Sequence, residues 1–171
     1  MGVRASYIPL APDQLERAKL DAVAAELLQE EVPYEEWGDI QKAWDSLWWL
    51  LDPARRDDYR DDVQPTTVLG RAIMGARVLN PEFSASCEDP RPGGVYGCTR
   101  YLTADEVASA AKALDALTEE ELASAYDPDQ MRGVGYYVDQ PFGQVVFWLD
   151  RLRDFYRRAA DEGKAVAVII D

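Results

Sequence analysis

Residues 37–51 read WGDIQKAWDSLWWLL and hold four of the chain's five tryptophans, Trp37, Trp44, Trp48 and Trp49. At 3.6 residues per turn, Ile40, Trp44, Leu47, Trp48 and Leu51 fall within an arc of about 100°, the apolar stripe of an amphipathic helix. Asp39, Lys42 and Ser46 lie opposite, and Trp49 sits among them as the one misfit. Large aromatic rings bury roughly 150–250 Å² each, so this helix is expected to anchor the core. It names no chemistry.

Outward from that stretch the elements follow from local signals. Towards the N-terminus, residues 3–8 form a strand candidate stopped by Pro9. A helix is expected from Pro12 to about Gln29, with Leu20, Val23, Ala24 and Leu27 as its apolar line and Leu15 to one side. An acidic connection follows through Glu30, Glu31, Glu35 and Glu36. Asp52-Pro53 ends the tryptophan helix, because a residue before proline is pushed out of the α region. Residues 55–62 read as a surface loop, and 66–75 as a short helix capped by Gly75, with Gly70 placed for close packing. Residues 81–97 are rich in proline and glycine and read as a long irregular loop. Thr103 to Glu106 and Thr118 to Glu121 are two capping boxes opening helices. Gly133 to Val138 is either an extended passage or a loop. Residues 141–162 carry the longest helical pattern, with Gly163 as its cap. AVAVII at 165–170 reads as a fully buried central strand. These elements give a helix-rich α/β domain, with α+β as the close alternative: a single domain over 1–171 with a small mixed sheet and flanking helices.

Composition narrows the chemistry. The chain has 171 residues, 47% hydrophobic and 29% charged, with 32 acids against 18 bases and a net charge of −14. That charge repels phosphate and anionic lipid, which disfavours nucleic acid and membrane surfaces and favours a basic protein partner. The arginine cluster Arg151, Arg153, Arg157 and Arg158 is interleaved with Asp150, Asp154 and Asp161, a pattern that reads as pairing on a solvated helix face. There is no histidine, so every Ser-His or Cys-His nucleophile and the commonest metal ligand are excluded. Cys87 and Cys98 match no zinc spacing. They flank a loop that would let them bridge, although the reduced state is expected of a cytoplasmic protein. No apolar run reaches membrane-spanning length. The sequence points to no catalytic residue, metal site or cofactor.

Five blocks in order carry a resemblance: the Met-Gly strand at the N-terminus; Lys42-Ala-Trp44-Asp45 with Leu47, Leu50 and Leu51; Leu69-Gly-Arg-Ala72-Ile73 with Gly75; Arg100-Tyr101-Leu102-Thr103; and the run from Phe155 through Gly163 to Val166. In these the chain resembles the YfbM-like family of bacterial proteins, the domain of unknown function numbered 1877, over nearly its whole length. The chain departs from that pattern at Trp48, where the family commonly has histidine, and at Asp52-Pro53, where it has Thr-Gly. The resemblance implies a single α/β domain and supplies no activity.

The expected function is therefore a non-catalytic protein-interaction or accessory module, regulatory or immunity-type, with Trp48 and Trp49 as candidate anchors beside Asp45. The alternative is a small-molecule binder or histidine-independent enzyme, for which Asp45, Arg71, Arg100 and Tyr101 are the polar residues inside the familiar blocks. Arginine clamps carboxylate or phosphate bidentately and aspartate acts as a base.

Overall fold

The computed structural model describes residues 3–57, 64–80, 98–133 and 140–170. Five strands form one sheet: β1 (Ala5–Leu10), β2 (Gly38–Gln41), β3 (Arg77–Val78), β4 (Arg100–Leu102) and β5 (Ala165–Ile170), in the order β2-β1-β5-β4-β3. The apolar run at 165–170 is central, as its composition requires. Every pairing is antiparallel, so within the expected α/β class the sheet is not mixed in direction.

Both faces of the sheet are covered. Tyr7, Val166, Val168 and Ile170 turn into the larger core, under α3 (Ala43–Leu51), α5 (Val68–Met74), α6 (Ala104–Ala116) and α9 (Phe142–Asp161). Ile8, Leu10, Ala165 and Ala167 turn into a smaller core with Leu15, Ala18 and Leu28 of α1 (Pro12–Leu20) and α2 (Ala22–Glu31). Alternate residues of a strand face opposite sides, and burial on both is why β5 reads as an unbroken apolar run. The remaining α-helices among the described residues are short: α4 (Pro53–Asp57), α7 (Glu119–Ala125) and α8 (Pro128–Gly133).

Several expectations need correction. The helix expected across 37–51 is a strand followed by a helix. β2 ends at Gln41, whose φ of 53° turns the chain into α3, and Ile40 is buried from the strand. The helix expected from Pro12 to about Gln29 is two, broken at Asp21, which is extended (φ −137°) and whose carboxylate accepts from the Val23 N–H to cap α2. The break resets the helical phase. Leu15, Ala18 and Leu28 therefore face inward, while Leu20 and Val23 are 82% and 61% exposed. The strand expected to stop at Pro9 runs on to Leu10. β2 pairs with β1 only as far as Tyr7, so no neighbour on that side asks Pro9 for an N–H.

Other details hold. Both threonine capping boxes are present, and Gly75 and Gly163 end their helices with φ of 76° and 63°. The loop expected from Arg55 onward opens instead inside a helix, α4, which spans Pro53–Asp57. Cys98 is buried and disulfide-bonded, which corrects the expectation of a reduced thiol. Cys87 and the irregular stretch 81–97 lie outside the described residues, as do 58–62 of the expected loop and residues 134–138.

Candidate functional site

The sequence-derived candidates do not form one site. Trp48 and Trp49 are buried, at 0% and 1% exposure. The misfit at Trp49 is met by packing on the outer side of α3, where Arg56 lies 5.8 Å from its ring. Arg55 stacks at 4.3 Å over Trp48 and reaches Asp45 at 3.5 Å. Arg55 is itself 2% exposed, so Asp45, Trp48 and Arg55 make a layered contact between α3 and α4. Arg71 is exposed on α5. Arg100 is buried and donates to the carbonyls of Gly75 and Ala76 and to the Gln64 amide oxygen. Burial lowers its pKa from the usual arginine value. Tyr101, its neighbour on β4, turns to the opposite face, with Lys19 and Arg77 against its ring at 5.4 and 5.7 Å. None of the described clefts is lined by Asp45, Arg71, Arg100 or Tyr101.

Those clefts lie elsewhere, and together they make one groove. Its strand-side wall is a single-turn 3₁₀ helix (Tyr34–Glu36) leading into β2, and its other wall is the outer face of α9. The central cleft, of about 590 Å³, is lined by Trp37, Gly38 and Asp39 across from Arg151, Asp154, Phe155 and Arg158. A second cleft, of about 390 Å³, continues past Tyr34 to Trp148, and a third, of about 400 Å³, runs past Glu35 and Glu36 to Glu162 and Lys164.

Sequence dictates this shape. Gly38 permits the close approach of strand and helix, since a Cβ there would lie 2.8 Å from the Phe155 ring. Phe155 is buried and forms the groove's floor. Asp39 accepts from the Gln41 backbone N–H at 2.7 Å and from its side-chain amide, which fixes the turn after β2. Trp37 donates its indole N–H to the Val32 carbonyl at 3.1 Å and packs 5.3 Å from Tyr34.

The four arginines of α9 divide by role. Arg153 donates to the Leu114 and Leu117 carbonyls and pairs with Asp150. Arg157 pairs with Asp115 and Asp154. These two tie α9 to α6 and to its own face, much as the charge pattern suggested, although the in-helix pairs are three residues apart. Arg151 and Arg158 have no ion pair among the described residues, and Arg151 lies against Phe147 and Trp148, at 5.9 and 6.0 Å. Seven residues apart, they share a helix face about 10 Å apart along the axis. The Trp148 indole N–H is buried with no acceptor among the described residues. Tyr34 and Phe147 are 66% and 52% exposed.

The sequence signal for this groove was the seven-residue spacing of Arg151 and Arg158. It was masked because Arg153 and Arg157 make the whole cluster look like an ordinary solvated face. Among the described residues no group of three His, Cys, Asp or Glu side chains is placed to hold a metal ion, and no helix is long and apolar enough to cross a membrane.

Comparison with known proteins places the chain in a family. Residues 1–169 match the model of a domain of unknown function, DUF1877, and the chain belongs to that family. The structure is similar to that of YfbM from Escherichia coli, itself a protein of unknown function, with a TM-score of 0.71 at 16% sequence identity. The match covers 98% of this chain and 99% of that one. Nothing matches among curated proteins.

Proposed function

We propose that this member of a family without an assigned activity is a non-catalytic protein-interaction module, of an accessory or regulatory kind. Its binding surface is the groove between residues 34–41 and α9. One observation carries the reading: Tyr34 and Phe147 stand exposed beside Arg151, which, like Arg158 farther along the groove, has no ion pair among the described residues. Aromatic residues and arginine are enriched where proteins meet, and they dominate the energy of such contacts. The absence of histidine from the whole chain supports the non-catalytic side of the reading. The same reading sets nucleic acid aside, since a net charge of −14 repels phosphate.

Photo-cross-linking in cells tests this. A benzophenone amino acid replaces Tyr34 in the groove, and separately Leu20, an exposed apolar residue outside it. A discrete protein adduct from position 34 that position 20 does not give is the expected result. The same adducts from both positions, or none from either, would count against the groove.

A further inference from the structure

Two features of the groove identify the partner it fits. The first is its strand. β2 is the terminal strand on its side of the sheet, with β1 on one flank and, among the described residues, no strand on the other. An edge strand turns alternate N–H and C=O groups outward, ready to pair with another chain. No backbone–backbone hydrogen bond outside the ladder involves residues 38–41 among the described residues, and since the Asp39 carboxylate holds the Gln41 N–H, residues 38–40 make up the open edge.

The second feature is charge of both signs left unmatched. Arg151 and Arg158 have no ion pair among the described residues, and neither have Glu35, Glu36, Asp161 and Glu162 along the same groove. A uniformly basic partner would set cations against the arginines, and a uniformly acidic one would set carboxylates against the glutamates. Like charges brought together cost several kcal/mol. A copy of the same groove, turned about a two-fold axis, offers both signs in reverse order. Arg151 lies in the first half of α9, and Asp161 and Glu162 lie at its end, so a reversed copy brings the two ends into opposition. A two-fold contact of this kind is self-complementary by construction.

We infer that the groove joins two copies of this chain, paired antiparallel through their β2 edges into one continuous sheet, with Arg151 of each opposite Asp161 and Glu162 of the other. The inference rests on the groove being a protein-interaction surface and names its occupant. Tyr34 and Phe147 are then covered in the dimer, and β2 has a strand on both sides.

Sedimentation equilibrium gives the test. The expected mass is twice 19.2 kDa. Arg151→Glu raises the dissociation constant by roughly 10–100-fold, and the charge swap Arg151→Glu with Glu162→Arg restores association. Arg151 and Glu162 are both exposed, and circular dichroism checks that each variant is folded. A wild type that sediments as a monomer at every concentration overturns the inference. So does a dimer that Arg151→Glu leaves intact, or a swap that does not recover. The cross-linker at position 34 separates the two levels. An adduct of two copies supports both, and a monomer cross-linked to a different protein overturns only the second-copy inference. A monomer giving no adduct overturns the interaction reading as well.

Discussion

At the scale of single residues, the least tolerant contact is between Gly70 and Asp52. The Asp52 carboxylate is fully buried and accepts from the Ala54 and Thr66 N–H groups, the Thr66 hydroxyl and, at 3.4 Å, the Thr67 N–H. A Cβ on residue 70 would lie 2.0 Å from its Oδ2. Alanine in a helix gains about 1 kcal/mol over glycine, but displacing this carboxylate costs its hydrogen bonds and repacks the joint. Gly70→Ala is therefore expected to destabilise by about 2–4 kcal/mol net in urea unfolding. Adding Asp52→Ala should cost less than the sum of the two single changes, because the clash is then gone. Two buried tyrosines give a second prediction. Tyr7 and Tyr156 donate to the Ile73 and Ala72 carbonyls, and burial raises both phenol pKa values above the usual 10.0, with Tyr156 raising that of Tyr7 further. Their stabilising effect is complete below the unfolded value and is lost as pH rises above it, because only the unfolded chain then releases its protons. The slope is about 1.4 kcal/mol per pH unit for each tyrosine. Tyr156→Phe should lose about 1 kcal/mol at neutral pH, and the alkaline slope measured from urea midpoints above pH 10 should roughly halve.

At the scale of elements, what was legible in the sequence was what neighbouring residues decide. The threonine capping boxes, the glycine caps and the apolar β5 needed no distant partner, and all three hold. The stretch at 37–51 misled because the 3.6-residue spacing of Ile40, Trp44 and Leu47 continues across a strand–helix join. Only pairing with β1, more than thirty residues away, makes 38–41 extended. Asp21 misled in the opposite sense: its ability to cap a helix is a local signal, but the unbroken pattern of leucine and alanine hid it. The structure consequently makes Leu20 and Val23 surface residues. Leu20→Lys and Val23→Lys are expected to change stability by no more than about 0.5 kcal/mol, whereas Leu28→Ala, in the smaller core, should cost about 2–4 kcal/mol. Thermal unfolding of the three variants side by side checks the assignment. As for the groove, the strand of its wall was read as helix and its two unmatched arginines as part of a paired cluster, so neither half could be seen from the sequence.

At the scale of the whole molecule, a charge of −14 on 171 residues works against compactness, since like charges are closer together in the folded state. Salt screens this repulsion over a Debye length of about 10 Å at 0.1 M. Raising sodium chloride from about 10 mM to about 0.3 M should therefore raise the melting temperature by a few degrees. A melting temperature that falls with salt would mean that surface pairs such as Arg77–Glu106 outweigh the net repulsion. The antiparallel sheet has a consequence of another kind, one that belongs to the protein's synthesis. Ala5 pairs with Ile170, and β1 meets β5 along its whole length, so β1 finds its main partner only when a strand far along the chain has been made. Helices close within themselves as they leave the ribosome, and α1 and α2 cover Ile8 and Leu10 early, but the flank of β1 that β5 takes stays open. The nascent chain thus carries β1 with an open flank through most of the elements in between, and β5 is the strand that joins the β1–β2 pair to the β3–β4 pair.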